Sequence, residues 1–493
     1  MAPASDGASL PPPAHGASRV VLRNTTLVTA AQSLAAPLSL LVSAVAAHKL
    51  GPADFGHLYL AASFASTAFI LVEWGQGSEL TARIARQHSA AGELLGSSLA
   101  WRLAVGALAA LLLPLACRLA GYDRVFAGIL SLTLAGCAFA SLGAACQDAM
   151  RGYERSGFSA ACALGAQLGA VLVLVPILLA GSGLFVYLAA QAVIGGLGAL
   201  VLVRAMAPLG VPQLRPRTRA MGELLRGGTP FVVFNLVVAL QTGIDAAMLS
   251  RFASAESIGW YATARKLTGG LLIPANALIA ALFPTLCRLH AGQPAAAAAT
   301  LSRAVQWTVL CAVPVALGCA LYPELGVQVF GGAAYGGAAE DLRMLAPFML
   351  LVYATMPLGT ALMATGHRRA WTLSQLGCLV VSAVLDPLLI PWFQARTGNG
   401  AMGVCVGTVA SETLMLAAAL TTLRSTALNA ILLRAVARGA AGGAVMLAAS
   451  VLLSSLNPWL AAPCAVAAYA LSLAALGKFG RAGGSAPRKA GRE

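Results

Sequence analysis

Residues 260–284 read WYATARKLTGGLLIPANALIAALFP, an apolar stretch that carries two adjacent cations, Arg265 and Lys266. A helix of roughly 20 apolar residues crosses the ~30 Å hydrocarbon core of a bilayer, so this stretch predicts a transmembrane helix. A charge in the middle of such a helix costs about 2.5–3.5 kcal/mol, and it persists mainly where it faces a bundle interior or a wet cavity. The two cations therefore mark this helix as a candidate functional element.

Similar apolar runs recur along almost the whole chain of 493 residues, of which 59% are hydrophobic and 10% charged. About fourteen runs are long enough to cross a membrane. Each is expected to be helical, because backbone groups facing lipid find hydrogen-bond partners only within a helix. The sequence predicts an all-α, polytopic membrane protein with about fourteen transmembrane helices.

A weak internal repeat divides these helices. The first span is followed by KLGPADFGHLYLA (49–61) and the seventh by RFASAESIGWYATA (251–264). A repeat of six helices inserts both copies in the same orientation, which predicts two pseudo-symmetric six-helix bundles plus two C-terminal helices. The predicted segments are a disordered tail (1–18), the first bundle (19–206), a basic linker (207–228), the second bundle (229–423), two added helices (424–480) and a basic tail (481–493).

The positive charge lies mostly in loops on one side. With the N-terminus taken as cytoplasmic, 23 of the 32 Lys and Arg residues fall in the tails and the even-numbered loops. This asymmetry predicts that both termini are cytoplasmic. The formal net charge of +15 does not indicate a nucleic-acid partner, because the sequence shows no soluble module with a basic face.

The motifs of soluble catalysis are not found in the sequence. No G-x-x-x-x-G-K-[ST] motif occurs, and none of the six histidines stands at metal-ligand or catalytic-triad spacing from a partner. We therefore expect a non-enzymatic protein without cofactor or metal that moves a substrate across the bilayer. A membrane polymerase or ligase for sugars is an alternative, and it would need a large outside loop with acids or histidines.

The adjacent cations have two interpretations. Arg265 lies about eight residues, or roughly 12 Å, from the outer end of its span, so its side chain could snorkel part of that distance. The other interpretation is that the pair flanks a hydrated cavity. The two side chains are ~100° apart around the helix, so only one of them can point straight into such a cavity.

Four other charges also lie within spans. Asp245 could neutralise one of the cations or carry a coupling ion, and Glu412 could be functional or bonded to a neighbouring Ser or Thr. Asp386 precedes Pro387 near the end of its span, which favours an ordinary helix-end carboxylate. Arg102 lies near the inner end of its span, where anchoring at the membrane interface is expected.

Several stretches resemble one family in the same order along the chain. They are HKLGPADFGHLYLAASF (48–64), TARIARQ (81–87), QDAMRGYERSGF (147–158), YATARKLTGGLLIPANALIAALFPTLCRL (261–289), LMATGHRRAWTLSQ (362–375) and DPLLIPWFQARTGNGAMGVCVGTVASE (386–412). The chain resembles the polysaccharide and oligosaccharide-lipid flippases of the multidrug/oligosaccharidyl-lipid/polysaccharide exporter superfamily. Asp386 occupies a position where this family usually has Asn.

The resemblance implies two six-helix bundles around a central cavity, alternating access, and transport of undecaprenyl-pyrophosphate-linked sugar units from the inner to the outer leaflet of the bacterial plasma membrane. H⁺ or Na⁺ is the candidate coupling ion, and polysaccharide polymerase machinery is a candidate partner. The predicted binding residues are Arg265, Lys266, Asp245, Glu412 and Tyr261.

Two alternatives belong to the same superfamily. A cation-coupled multidrug exporter typically has several carboxylates within its bundles, and this chain has few. A peptidoglycan-precursor flippase is expected to carry a cation in its second span, where this chain has none beyond His57. The oligosaccharide-lipid flippase is therefore the favoured hypothesis.

Overall fold

The computed structural model describes residues 15–206, 213–423 and 430–482, and all regular elements in these ranges are helices. The first half contains α1 (His15–Glu73), α2 (Gln76–Arg86), α3 (Ala91–Leu119), α4 (Arg124–Gly152), α5 (Ser156–Leu179) and α6 (Leu184–Met206). The second half begins with α7 (Thr218–Phe252), α8 (Ala255–Leu271), α9 (Ile273–Gly292), α10 (Pro294–Leu321), α11 (Pro323–Phe330) and α12 (Gly336–Met344). It continues with α13 (Ala346–Ala364), α14 (Arg368–Thr397), α15 (Ala401–Thr422), α16 (Ala430–Leu452) and α17 (Pro458–Ala482).

Parts of the predicted tails and linker lie outside the described residues. The predicted tails 1–18 and 481–493 lie almost wholly outside the described residues, as do positions 207–212 of the predicted linker. Positions 218–228 of that linker form the first turns of α7.

A single glycine divides α1 into two arms. Gly51 has φ 80° and ψ 170°, a conformation that a helix cannot contain and that side chains with a Cβ atom rarely adopt. A Cβ atom at this position would have no neighbour within 4 Å, so backbone conformation and not crowding requires the glycine. The helix is broken there, so we count the two apolar arms of α1 as two separate spans.

The helix count agrees with the prediction. Twelve described helices are long and apolar enough to cross a membrane, and α7, which is bent by 52°, adds a thirteenth. That number treats Thr26–Arg86 as one span, although Gly51 divides it, so the described residues accommodate the fourteen predicted spans. The predicted all-α, polytopic membrane fold is confirmed.

The helices form two bundles. In the first half, α1 packs against α5, and α4 packs against α3 and α6. In the second half, α14 packs against α7 and α15, and α13 packs against α9, α10 and α15. The last two helices pack against each other and join the second bundle through α10. Two bundles with two added helices match the predicted architecture.

The two halves meet at a backbone contact that we call the glycine crossing, formed by Pro52 and Gly56 of α1 with Ala255 and Gly259 of α8. A Cβ atom at Gly259 would lie 1.9 Å from the carbonyl oxygen of Pro52, and one at Gly56 would lie 2.3 Å from that of Ala255. Glycine allows membrane helices to approach this closely. Gly56 and Gly259 lie in the two segments that define the predicted repeat, 49–61 and 251–264.

At the opposite end of the spans, α2 connects the halves by ion pairs. Arg83 of α2 lies 2.6 Å from Glu79 of the same helix and 2.6 Å from Glu223 of α7. Leu80 and Ile84 of α2 are buried in a cluster that includes residues of α7. We call the contacts of Arg83 with Glu79 and Glu223 the α2 clasp.

Arg102 is buried inside the first bundle, with 1% of its surface exposed. Its guanidinium donates to the carbonyl oxygen of Ser141 at 2.6 Å and lies 3.9 Å from the carboxylate of Asp148. Glu73 is a second carboxylate within its electrostatic range. The expectation that Arg102 anchors at the membrane interface is therefore wrong, because its counterions lie on α1 and α4, within the bundle.

We expect Gly259→Ala to destabilise the protein. The added methyl group would overlap the Pro52 carbonyl, and overpacking of this kind typically costs about 1–3 kcal/mol. The apparent Tm of the detergent-purified protein should fall. Gly269→Ala is the matched control on the same helix, because a Cβ atom there would have no neighbour within 4 Å. Equal Tm values for the two variants would contradict the glycine crossing.

We also expect Arg102→Leu to lower the Tm strongly. Removing one partner of a buried ion pair typically costs about 3–5 kcal/mol, and here Glu73 would lose its cationic neighbour, whereas Asp148 keeps Arg151 at 2.9 Å. Adding Glu73→Gln to this variant should recover part of the loss. Arg118→Leu, at an exposed position of the same helix, is the control. The explanation fails if the double variant is less stable than Arg102→Leu alone.

Candidate functional site

The two adjacent cations lie deep within a span. Helix α8 begins after Ser254, whose side-chain oxygen accepts a hydrogen bond from the amide of Ser257 at 3.2 Å. Arg265 is ten residues beyond Ala255, which corresponds to about 15 Å along the helix. The span continues as α9, after a break at Leu272.

Lys266 lines a cavity of about 750 Å³ within the first bundle, between both arms of α1 and helices α4, α5 and α6. Ala262, one turn away on α8, is also part of the lining. The side chain of Lys266 is solvent-exposed, although it lies at mid-span. Among the described residues that line the cavity, Lys266 is the only one with a charged side chain.

Arg265 points toward the second bundle. Its guanidinium carbon lies 6.0 Å from the ring centre of Phe348 on α13. Its electrostatic neighbours include Tyr261, Tyr59 and Asp245. Among the described residues, none accepts a hydrogen bond from the guanidinium or forms an ion pair with it within 4.0 Å. Arg265 is thus a half-buried cation with free donors, next to the cavity that contains Lys266.

Tyr261 is buried, with 1% of its surface exposed, and it supports the cavity wall from behind. Its ring packs edge-to-face on Tyr59 of α1, with 5.8 Å between ring centres. Tyr59 itself lines the cavity. Tyr59 is not among the binding residues predicted from the sequence, although it lies in the HLYLA segment of the first repeat.

Asp245 and Asp386 form a carboxylate pair in the second bundle. The Asp245 carboxyl group interacts with the carboxyl group of Asp386 and with the hydroxyl group of Ser382, both on α14. Asp386 is fully buried, and neither of its carboxyl oxygens has a hydrogen-bond partner among the described residues. The carboxyl group of Asp386 packs directly against the backbone of α15 at Gly407. A Cβ atom at Gly407 would lie 2.8 Å from the Oδ1 atom of Asp386.

The expectation that Asp386 is a helix-end carboxylate is wrong. Helix α14 continues through Pro387 and Pro391 to Thr397, so Asp386 lies well inside it. A proline removes one hydrogen bond from a helix, and membrane helices tolerate this when neighbouring helices compensate.

Glu412 lies on α15, half-buried at the interface with α13. Its carboxylate is beside the hydroxyl group of Thr355 and within electrostatic range of Arg265. Arg265 therefore has two acidic groups, Asp245 and Glu412, on one side and the cavity that contains Lys266 on the other.

The rest of the cavity lining is uncharged. Its polar side chains are the hydroxyl groups of α1, Thr133 and Tyr187 and the carboxamides of Gln147, Gln167 and Gln191. These glutamines were not predicted from the sequence, although carboxamides in apolar spans are a usable signal. In the described part of the chain, no three His, Cys, Asp or Glu side chains come together to hold a metal ion.

Three solved structures have a similar fold. One is entitled "Lipid II flippase MurJ, inward closed conformation", with a TM-score of 0.72, 13% sequence identity, and coverage of 91% of this chain and 98% of that chain. The second is an inward-facing multidrug resistance MATE family transporter of the MOP superfamily, with a TM-score of 0.58, 16% identity, and coverage of 84% and 94%. The third is a MOP superfamily transporter from Pyrococcus furiosus, with a TM-score of 0.54, 16% identity, and coverage of 82% and 95%.

At these identities the similarity shows the fold alone. No protein of curated function matches the sequence. Residues 21–290 match the family model described as "Polysaccharide biosynthesis protein". This range is more than half of the chain, and it includes Asp245, Arg265 and Lys266. The chain is therefore a multi-pass membrane protein with the fold of MOP superfamily transporters, and it belongs to the polysaccharide biosynthesis protein family.

Proposed function

We propose that this protein is a flippase for an oligosaccharide repeat unit linked to undecaprenyl pyrophosphate. It moves the unit from the inner to the outer leaflet of the bacterial plasma membrane by alternating access, with both termini cytoplasmic. The flipped unit then serves assembly of a surface polysaccharide, such as O-antigen of lipopolysaccharide or an exopolysaccharide. The observation that carries the proposal is Lys266, the single charged side chain described in the cavity lining of a polysaccharide biosynthesis protein.

The charge of the cavity suits an anionic head group. A pyrophosphate needs cationic or hydrogen-bonding partners when it leaves water, and ionised partners form the strongest hydrogen bonds to it. Lys266 offers an ammonium group, and Arg265 offers guanidinium donors that the described residues leave unbonded. In this proposal Lys266 binds the pyrophosphate first, and Arg265 joins it when the two bundles rearrange.

The apolar part of such a substrate also finds a matching surface. A groove lined by Leu40, Leu41 and Val45 lies on the face of the first α1 arm that is opposite the cavity. Leu267, adjacent to Lys266 on α8, also lines this groove. A chamber that contains a cation and a groove with none, on either side of one helix, suit a lipid whose head group and prenyl chain require different surroundings.

The cavity lining argues against the multidrug exporter. A site for cationic drugs would attract them with carboxylates, and the described lining contains Lys266 but no Asp or Glu. The peptidoglycan-precursor alternative is disfavoured by the second arm of α1, Pro52–Glu73, which contains no Lys or Arg. The fold alone fits all three transport functions. The charges of the cavity lining favour the oligosaccharide-lipid flippase among them.

The carboxylate pair provides a basis for coupling. Two ionised carboxylates buried side by side repel each other, so the pair favours uptake of H⁺ or Na⁺. Asp245 is also an electrostatic neighbour of Arg265. When a cation neutralises Asp245, Arg265 loses part of its compensation and attracts an anionic substrate more strongly. We propose that ion binding at Asp245 and Asp386, with Glu412 as a second compensating acid, is coupled to transport in this way.

We expect Lys266→Ala and Arg265→Ala each to reduce export of the repeat unit. Loss of one charge-assisted hydrogen bond costs about 1.5–3 kcal/mol, which corresponds to roughly tenfold or more in affinity. In a deletion strain complemented with each variant, surface polysaccharide should fall while lipid-linked units accumulate. Lys49→Ala, at an exposed position of α1, is the control. Normal surface polysaccharide with Lys266→Ala, at an equal protein level, would refute the pyrophosphate site.

We expect Asp245→Asn and Asp386→Asn to abolish ion coupling. In proteoliposomes, a pH or Na⁺ gradient should accelerate flipping of a fluorescent prenyl-pyrophosphate lipid by the wild-type protein. Each variant should flip the lipid only at the rate seen without a gradient, because an uncharged amide cannot bind H⁺ or Na⁺ as a carboxylate does. Glu340→Gln, at an exposed carboxylate of α12, should behave like wild type. Full acceleration in both Asn variants would rule out this pair as the coupling site.

A further inference from the structure

The cavity that contains Lys266 is larger than a pyrophosphate group requires. Its volume of about 750 Å³ falls within the range of roughly 300–1,000 Å³ for pockets that enclose most of a drug-sized ligand. Lys266 contributes from α8 at one edge, whereas most of the lining comes from α1, α4, α5 and α6. A second part of the substrate therefore has room deeper in the first bundle.

Three carboxamides from three helices line this deeper region at different heights along the bundle. Gln147 lies on α4, Gln167 on α5 and Gln191 on α6, and all three line the cavity. None of these carboxamides makes a hydrogen bond to another described residue. Each offers two N–H donors and one carbonyl acceptor without any charge.

A purely structural role does not explain these glutamines. Polar side chains in membrane bundles commonly hydrogen-bond across a helix interface, and these three do not. Carboxamides aimed at acyl chains would be left without hydrogen-bond partners, so a prenyl chain is an unsuitable occupant. A cationic ligand is also unsuitable, because no Asp or Glu is found in the described lining.

Uncharged carbohydrate matches the chemistry of this lining. Sugar hydroxyl groups both donate and accept hydrogen bonds, as do the carboxamides. Tyr59 and Tyr187 add aromatic surface to the wall. Mostly apolar walls with a few convergent polar groups are typical of sites that orient a specific ligand.

We propose that the first bundle contains a subsite for the sugar portion of the substrate, formed by Gln147, Gln167 and Gln191, and that the bound sugars are uncharged. This inference rests on the proposed function, with Lys266 at the edge of the subsite binding the pyrophosphate. The substrate thus enters with its sugars toward the first bundle, and the second bundle, with its carboxylate pair, receives no sugar.

Three synthetic probes test the subsite on the full-length protein in detergent. They are farnesyl pyrophosphate, farnesyl pyrophosphate linked to a neutral N-acetylglucosamine disaccharide, and farnesyl pyrophosphate linked to a disaccharide of glucuronic acid. Isothermal titration calorimetry measures the Kd of each. We expect the neutral glycolipid to bind at least roughly tenfold more tightly than farnesyl pyrophosphate, as one or two additional hydrogen bonds would provide. The acidic glycolipid should show no such gain.

The variant that replaces Gln147, Gln167 and Gln191 with Leu should lose this gain while keeping the wild-type Kd for farnesyl pyrophosphate. That unchanged Kd also shows that the variant is folded. If the triple variant fails to fold, the three single Gln→Leu variants replace it, and each should lose part of the gain. Gln306→Leu is the matched control, because Gln306 lies within α10 of the second bundle, away from the cavity.

The sugar subsite is overturned if the neutral glycolipid binds wild type no more tightly than farnesyl pyrophosphate, or if the glutamine variants keep the gain. An equal gain for the acidic glycolipid overturns the restriction to uncharged sugars. A different result would contradict the proposed function: farnesyl pyrophosphate would bind Lys266→Ala as tightly as it binds the wild-type protein. No binding of any probe to the wild-type protein would overturn both.

Discussion

The direct backbone contact between α1 and α8 determines the geometry of the site. Gly259 faces α1 at the glycine crossing, so the rotation of α8 about its own axis is fixed there. Seven residues correspond to nearly two full helical turns, which places Lys266 on the same face as Gly259. Lys266 must therefore face the first bundle, and Arg265, ~100° away, must turn toward the second. One contact between glycines thus assigns different surroundings to two adjacent cations.

The fold can be predicted from the sequence more completely than the arrangement of the site residues. Apolar run length is a local property, and it correctly predicts an all-α polytopic fold. The presence of Arg265 and Lys266 within a span is also a local property, but which of them enters the cavity depends on the partner of Gly259. The roles of Asp386 and Arg102 cannot be predicted from position within their own helices. Their surroundings are set by residues far away in sequence, such as Asp245 for the first and Glu73 for the second.

The charges are divided between the two halves of the molecule. The first bundle presents Lys266 to an otherwise uncharged chamber, and the second bundle holds Asp245 and Asp386 away from it. Arg265 lies between them and is an electrostatic neighbour of Asp245. Under the proposed function, this separation would let the second bundle bind an ion while the first bundle holds the substrate. The proposed coupling therefore needs no carboxylate in the lining of the chamber.

The end of the molecule at α2 has ion pairs in addition to a close backbone contact between Gly228 and Trp74, whereas no ion pair among the described residues joins α1 to α8 at the glycine crossing. The α2 clasp consists of half-exposed ion pairs, whose attraction dissolved salt screens over a Debye length of about 8 Å at physiological ionic strength. The glycine crossing depends on van der Waals contact between backbones, which dissolved ions leave unchanged. Salt concentration on the side of α2 therefore changes the free energy of separating the two halves at the α2 clasp. It does not change the free energy of separating them at the glycine crossing. The protein is in this respect mechanically asymmetric, although its two bundles share one architecture.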